Sequence, residues 1–465
     1  MAGSELMSGA PPLVRRLADW IVGFDAGAIP VAALDKARML VLDSIGCALG
    51  AMDEETPRSA LSTVRALGGA PECTVIGTEL RTSAALATLA NGILVRALDL
   101  NDLGLGAAGA SHPSDNIPVA LAIGEREDRS ARDVLAAIVM GYEVYGRVHD
   151  LMRIDCDWDN VSASGPVAAA MAGRLLGLPA EKLGHALALA MSHCHTLGIV
   201  RFGQLSAAKA MANSMVAHSS VMATLLAAHG ATGPQTVFEG PAGMLQASLD
   251  KGNPVGLVAP VNADDLRIMR VNIKSYPCLG SGQAAVAAAI EARKKISDPL
   301  AQIEKISIRM ADTPFVRSQV NDPQRDNPHS RETADHSFLY LVAVALLDGE
   351  LTPAQFGEGR WFDPAVRALM SRTTIRNDPS LNVYTPAAFP CAMEVTLKDG
   401  STLAIEMPYP PGNIRNPLGW AGVEAKFHRY AADVLPQVRR QEVLNAVRRM
   451  DSSISIRELM RLLAT

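Results

Sequence analysis

The chain has 465 residues and a formal net charge of −5 at pH 7; 48% of its residues are apolar and 4% are aromatic. Because a single hydrophobic core usually stops growing at about 250–300 residues, we expect two domains. The acidic balance and the absence of Lys/Arg-rich runs argue against nucleic acid as a partner. The apolar residues are mainly Ala, Leu and Val, which is typical of closely packed helices.

The cysteines and the N-terminal segment indicate the compartment. Six cysteines have no C-x-x-C spacing, which is typical of reduced, buried thiols: Cys47, Cys73, Cys156, Cys194, Cys278 and Cys391. The N-terminal segment has no apolar core followed by a cleavage site, and no apolar run reaches the roughly 20 residues of a membrane span. We therefore expect a soluble, cytoplasmic protein with no membrane partner.

Helical spacing dominates the first half of the chain. It begins with Leu13, Leu17 and Ile21 and continues to about residue 226, with one strand-like run at 73–77. Several of these segments are apolar on every side and rich in Ala and Gly. Such helices form the inside of a bundle with close helix contacts.

The pattern changes to period two after about residue 270. Ile306, Ile308 and Met310 alternate with polar residues and predict a strand, and the run 391–407 predicts a β-hairpin that turns at Lys398-Asp399-Gly400. A helical segment, "HSFLYLVAVALLDG", lies between them. Helical spacing returns from "NPLGWAGVEAKF" to the end, so we expect this last part to pack on the first domain.

These patterns predict a mainly α protein with a large all-helical bundle domain and a smaller α+β domain. We place the first part of the helical domain at residues 1–268, the α+β domain at 269–412 and the helical C-terminal return at 413–465.

Gly104, Gly106 and Gly109 have the G-x-G-x-x-G spacing of a dinucleotide-binding loop. That motif requires a preceding buried strand and a helix that begins within the glycines. Here the segment before the glycines has helical spacing, and Pro113 in "SHPSDN" places the next helix start too late. The spacing therefore does not predict a nucleotide site.

The same glycines predict a flexible loop flanked by polar side chains, namely Asp99, Asn101, Asp102, Ser111, His112 and Asp115. A loop between the end of one helix and the start of the next can turn such side chains toward one cleft, where the amides of the second helix favour an anion. Two interpretations stay open at this point: a carboxylate-binding site, or side chains such as Asp99 and His112 that only cap helices.

"ALDLNDLGLGAAGASHPSDN" resembles the L-D-F-[DN]-D-T…H-P-S-[DG]-N segment of the MmgE/PrpD family of 2-methylcitrate dehydratases, cis-aconitate decarboxylases and iminodisuccinate epimerases. "VLDSIGCALGA", "SAAKAMANSM", "KSYPCLGSGQ" and "ADHSFLYLVAV" resemble further family segments, in the family's order, between about residues 13 and 430. The sequence departs from the family pattern at Leu103, where a Thr is usual, and after Lys209, where a His and a Gly are common.

The resemblance implies a helical domain with an α+β lid, a site between them, a homodimer, and no cofactor or metal. It implies a lyase that dehydrates a small di- or tricarboxylic acid such as 2-methylcitrate. An epimerase or decarboxylase of a related acid, and a non-catalytic carboxylate-binding relative, are the alternatives. The two departures favour the last of these.

Four residues are the candidates for catalysis. His112 suits proton transfer because its ordinary pKa lies near neutrality. Asp99 can orient His112, or act as the base itself if burial raises its pKa. Lys209 lies among small apolar residues and must meet an anion if it is buried, so we expect it to hold a substrate carboxylate. Tyr340 is expected to reach in from the lid as a donor or acid.

The expected substrate-binding residues are Asn101, Asp102, Ser206 and Gln283. Ser206 lies one turn before Lys209 on the same helix face. For Asp335-His336 we favour a helix N-cap over an acid/base pair. His193-Cys194-His195 and the acids of "DCDWD" lack the spacing of metal ligands, so no metal site is predicted.

Overall fold

The computed structural model describes residues 10–106, 109–153, 157–249, 254–450 and 454–465. The first part of the chain is a helical bundle. Its helices are α1 (Leu13–Val22), α2 (Val31–Gly50), α3 (Glu55–Leu67), α4 (Ala84–Arg96), α5 (Ile117–Arg126), α6 (Ala131–Leu151), α7 (Ser164–Leu175), α8 (Ala180–His193), α9 (Ala207–Ala228) and α10 (Met244–Ala247). Short strands accompany them: β1 (Cys73–Thr74), β2 (Arg81–Thr82), β3 (Asp102–Gly106), β4 (Gly109–Ser111) and β5 (Asn272–Ile273).

Helix α9 lies at the centre of the bundle and packs against α4, α7 and α8. Small residues make this possible, because side chains without bulk let helix backbones approach closely. At the centre of α4, a Cβ on Gly92 would lie 2.6 Å from Ser214 Oγ of α9. Because α9 is packed on several sides, Lys209 near its N-terminus is buried inside the protein.

The second part of the chain contains a four-stranded sheet and its covering helices. The strands are β6 (Ile303–Ala311), β7 (Thr373–Asp378), β8 (Cys391–Leu397) and β9 (Thr402–Met407), in the order β7-β6-β8-β9, with β6 and β7 parallel and the other pairs antiparallel. The helices are α11 (Gln283–Arg293), α12 (Pro299–Gln302), α13 (Pro314–Val320), α14 (Arg331–Ala334), α15 (Phe338–Asp348) and α16 (Pro364–Ser371).

The period-two predictions for this sheet are confirmed. Ile306, Ile308 and Met310 of β6 are fully buried, and the β8–β9 hairpin pairs Met393 with Ile405. The helix predicted between this strand and the hairpin is α15. The mainly α fold class, with a smaller α+β part, is therefore confirmed.

Two separate clusters of buried apolar side chains divide the described residues. One is formed by apolar side chains from residues 13–273 and 423–463, and we refer to this part of the chain as the bundle. The other contains residues 278–395, which we refer to as the small domain. The last helices, α17 (Gly419–Tyr430), α18 (Gln437–Arg448) and α19 (Ile456–Leu462), belong to the bundle cluster.

The glycine motif forms a hairpin rather than a flexible loop. Strands β3 and β4 pair Gly104 with Ser111 and Gly106 with Gly109, and β3 also pairs with β5. Gly109 has a φ of +103°, and a Cβ there would lie 2.7 Å from the Phe315 ring of the small domain. Helix α5 begins only at Ile117. The glycines therefore allow the β3–β4 pairing and the close approach of Phe315, and they do not form a phosphate-binding loop.

The described cysteines, Cys47, Cys73, Cys194, Cys278 and Cys391, are free and buried. In the part of the chain that the structure describes, no helix is both long and apolar enough to cross a membrane.

We expect Gly412→Ala to destabilise the protein more than Gly400→Ala. Both glycines have a positive φ, +91° and +85°, so each alanine adds about 1–2 kcal/mol of backbone strain. A Cβ on Gly412 would also lie 1.9 Å from the carbonyl oxygen of Ile273, whereas a Cβ on Gly400 meets nothing within 4 Å. Urea denaturation of both variants measures the difference. Equal losses of unfolding free energy would contradict the close approach of residue 412 to β5.

Candidate active site

A cleft of about 680 Å³ lies between the bundle and the small domain. The bundle contributes Arg96, Asp99, His112, Asp159 and Arg201 to its lining. The small domain contributes Leu279, Phe315, Arg325, His336 and Phe389. Two of the sequence-predicted catalytic residues, Asp99 and His112, therefore share this cleft.

His112 follows strand β4 and is held in one tautomer. Its Nδ1 lies 2.7 Å from the backbone carbonyl oxygen of Asp102, so Nδ1 carries the proton and donates it to that oxygen. Burial lowers the pKa of His112 well below 6.5, and the charges of Arg96 and Lys274 lower it further. The ring is therefore neutral near pH 7, with Nε2 as the basic nitrogen. No side-chain cap bond forms at His112, so the capping interpretation does not apply to it.

Asp102 and Asn101 differ from their predicted role as substrate ligands. The Asp102 carboxylate accepts hydrogen bonds from the Ser114 hydroxyl at 2.6 Å and from the Tyr142 hydroxyl at 2.8 Å. Asn101 donates to Ser114 and to Asp115 at 2.8 and 2.7 Å. Both residues are buried, at and just before the start of β3, and do not line the cleft. Asp102 instead positions His112 through its carbonyl group.

Asp99 is surrounded by cations. Its carboxylate lies 2.5 Å from Arg96 Nη1 and 3.1 Å from Lys209 Nζ, and it also accepts a hydrogen bond from Lys274 Nζ. Burial alone would raise the pKa of Asp99, but these three cations outweigh burial and hold the pKa well below 3.8. Asp99 is therefore an ionised carboxylate, which does not support the alternative that burial makes it a base. His112 takes its orientation from Asp102, not from Asp99.

Lys209 is buried in the position that its small neighbours predict, but its anions belong to the protein. Its Nζ lies 3.0 and 3.2 Å from the two Asp335 oxygens, in addition to the contact with Asp99. Lys209 does not line the cleft, and the two aspartates neutralise its charge; the substrate-carboxylate role expected for it stays a prediction. Ser206 precedes α9 with its side chain exposed and without a cap bond, and it does not line the cleft either.

Asp335 and His336 form an acid–imidazole pair rather than a helix N-cap. Ser337 caps α15 instead, since its hydroxyl accepts from the Tyr340 amide at 3.2 Å. Asp335 accepts a hydrogen bond from His336 Nδ1 and a second one from Lys209. Burial, followed by the charge of Lys209, lowers the pKa of His336 to about 3. His336 is therefore a second neutral imidazole on the cleft wall, and sequence reasoning assigned it the wrong role.

Tyr340 and Gln283 lie elsewhere than predicted. Tyr340 is fully buried in the small domain's core, where its hydroxyl donates to the Gln355 carbonyl. The Gln283 side chain accepts from the Ser275 amide at 3.1 Å and donates to the Tyr276 carbonyl at 2.8 Å. Neither residue lines the cleft. The physical reason is the same for both: backbone groups of their own domain satisfy the polar atoms.

Sequence reasoning missed the cleft arginines. Arg96 lies between Asp99 and Asp115, with Nε 3.6 Å from Asp115 Oδ2. Arg201 pairs with both oxygens of Asp159, at 2.8 and 3.1 Å. A single arginine in a helix or loop is usually exposed, so no local pattern could have identified these residues.

Arg325 enters the cleft from the small domain. Its Nε donates to Asp322 at 3.2 Å, while its buried Nη1 has no hydrogen-bond partner among the described residues. The arginines of the described lining are Arg96, Arg153, Arg201 and Arg325, against the aspartates Asp99, Asp159 and Asp322. This charge excess suits an anionic ligand.

Asp99, Asp335 and His336 place potential metal-ligand atoms within 4.8 Å of one another. Lys209 Nζ touches both carboxylates, so an ammonium group already supplies the cation of this cluster. In the His193-Cys194-His195 segment, which was considered above for metal binding, the His195 ring packs on the Trp158 ring with centroids 4.8 Å apart. Asp155 and Cys156 of the "DCDWD" segment lie outside the described residues.

The fold and the cleft define a two-domain, mainly helical protein with an imidazole- and arginine-lined site. Residues 15–255 match the MmgE/PrpD N-terminal domain and residues 276–452 match the MmgE/PrpD C-terminal domain. The chain belongs to the MmgE/PrpD family.

Two kinds of curated enzyme are similar to this chain over nearly its whole length. The chain is 28% identical to 2-methylcitrate dehydratase of Cupriavidus necator, over 89% of each chain. It is 26% identical to human cis-aconitate decarboxylase, over 94% of this chain and 92% of the human protein. It is also 26% identical to 2-methylcitrate dehydratase of Escherichia coli K12, over 92% of each chain. The relatives therefore support an enzyme of this family without separating the two activities.

Proposed function

We propose that the protein is a lyase that dehydrates a small di- or tricarboxylic acid of the 2-methylcitrate type, using the protein's own acid–base groups. The observation that carries this proposal is the neutral imidazole of His112, fixed by the Asp102 carbonyl, in a cleft lined by arginines. That arrangement combines a base with cations that hold carboxylates.

His112 Nε2 takes a proton from the carbon next to a substrate carboxylate. The electron pair of the broken C–H bond forms the carbon–carbon double bond, and the C–O bond to the neighbouring hydroxyl breaks. The imidazolium formed in the first step then supplies the proton with which the hydroxyl leaves as water. Arg96, on the same wall of the cleft, stabilises the negative charge that develops on the carboxylate.

An epimerase of a related acid is the second candidate. Inversion at a carbon requires one group to remove a proton and another to return it on the opposite face. His112 and His336 line one cleft from different domains. Each is a neutral imidazole that can remove a proton, and inversion then requires the other imidazole to carry a proton taken from water, which it gives to the opposite face of the carbon. This pairing favours the epimerase over a binding-only relative, since a site that only bound an anion would need neither base.

Assays with 2-methylcitrate, citrate, cis-aconitate and iminodisuccinate distinguish these functions. We expect ultraviolet absorbance of an unsaturated acid from 2-methylcitrate, no carbon dioxide from cis-aconitate, and no change in the chirality of iminodisuccinate. His193→Ala, at the exposed end of α8, serves as the control with unchanged activity. Turnover of another acid in place of 2-methylcitrate would replace the dehydratase proposal, and binding without turnover of any acid would leave a non-catalytic relative.

A further inference from the structure

The cleft is larger than a small tricarboxylate requires. Its volume of about 680 Å³ falls in the range of about 300–1,000 Å³ that proteins use for drug-sized ligands. The charged groups account for only part of the wall: Arg96, Asp99 and His336 form one connected cluster. The remaining surface needs another explanation.

Besides further charged and polar side chains, the cleft has a continuous apolar wall with residues from both domains. The rings of Phe315 and Phe389 stack with centroids 5.4 Å apart, and both line the cleft. Leu105 and Ala110 of the β3–β4 hairpin pack against the same cluster of the small domain. Leu279 completes this apolar wall. Gly109 is required for this wall, because a Cβ at that position would collide with the Phe315 ring that packs against the hairpin.

The segment 197–202, part of which lines the cleft, carries exposed apolar side chains. Leu197, Ile199 and Phe202 lie within six residues of each other and are 54%, 70% and 64% exposed. Phe202 and the adjacent Gly198 line the cleft itself. Exposed apolar side chains next to a cleft are one mark of a ligand-binding groove, and Phe202 connects this segment to the apolar wall.

We propose that the natural substrate is a citrate-like acid whose 2-substituent is an alkyl chain longer than methyl. This inference rests on the proposed function. The carboxylates face the arginines, and the chain lies along Leu105, Phe315 and Phe389 toward Phe202. Burying each further methylene on such a wall is worth about a fourfold gain in kcat/KM until the wall is filled.

The test is a series of 2-methyl-, 2-butyl- and 2-hexylcitrate with the full-length protein. We expect kcat/KM to rise along the series, by about fourfold per methylene. Phe315→Ser is expected to reduce the preference for the hexyl over the methyl compound at least tenfold. Phe362→Ser is the matched control, because Phe362 is 53% exposed on the small domain and does not line the cleft.

The outcomes separate this inference from the proposed function. Turnover of 2-methylcitrate with a flat or falling kcat/KM along the series overturns the alkyl-chain inference and leaves the lyase intact. If no member of the series is turned over, the proposed dehydration fails, and calorimetric titration with the same compounds decides the inference. Dissociation constants that fall with chain length then support the apolar subsite, and constants that do not fall overturn it.

Discussion

Replacing His112 by alanine is expected to lower kcat for dehydration by about 10²–10⁴-fold, with the thermal midpoint of unfolding nearly unchanged. The reason is the arrangement of the ring: Nδ1 donates to the Asp102 carbonyl, so Nε2 is the nitrogen that accepts the substrate's proton. His112→Asn is the matched variant, since its amide can still donate to that carbonyl but offers no basic nitrogen. Steady-state kinetics at saturating substrate measure the loss.

The pH profile of the unmodified protein gives an independent check on His112. Burial holds its pKa well below 6.5, so the neutral, active form persists as the pH falls from 7 through 6.5. We therefore expect the acid limb of kcat/KM to have its midpoint below 6.5, and the limb to be absent in both variants. A variant that keeps a tenth or more of the activity, or an acid midpoint above 6.5, would contradict the assignment of His112 as the base.

The fold follows from local patterns to a large extent. Alternation at Ile306, Ile308 and Met310 identified β6, because only one of its faces meets the core. Helical spacing identified the bundle in the same way. The glycine motif was harder to interpret: glycine spacing alone cannot distinguish a loop from a hairpin whose partner, β5, lies about 170 residues further along the chain.

The candidate site was predictable in position but not in its contacts. Asp99 and His112, at the two ends of the predicted segment, both line the cleft. The cost of burying a lone ammonium predicted that Lys209 must meet an anion, but not that the anion is Asp335, which is 126 residues away. Helix α15 is buried on nearly all sides, so no amphipathic pattern showed that His336, before the helix, faces the cleft while Tyr340 faces the core.

The ion pairs of this cluster also join the two domains. Lys209 belongs to the bundle and Asp335 to the small domain. Nearby, Arg331 of the small domain donates to the Ala97 carbonyl at 3.0 Å and pairs with Glu54 at 2.8 Å. The residues that hold His336 on the cleft wall are thus the residues that hold the domains together. Stability of the interface and geometry of the site depend on the same charges.

Asp99→Asn is therefore expected to lower the free energy of unfolding by about 3–5 kcal/mol near pH 7. The substitution keeps the shape of the side chain but leaves Arg96, Lys209 and Lys274 buried with one counter-charge fewer. Urea denaturation followed by circular dichroism measures the loss. Asp265→Asn is the control, because Asp265 pairs with Arg270 on the surface, where ion pairs contribute little.

The pH dependence of this loss has a definite sign. The pKa of Asp99 is held well below 3.8 in the folded protein, so its stabilising effect is present above pH 3.8 and disappears as the pH falls through the folded value. Burial lowers the pKa of Lys274, so in the variant this lysine releases its proton more readily and part of the lost stability returns as the pH rises. The difference between Asp99→Asn and the unmodified protein should therefore be largest near neutrality. If the two unfolding free energies differ by less than 1 kcal/mol at pH 7, or if their difference grows below pH 3.8, then Asp99 does not stabilise the three buried cations.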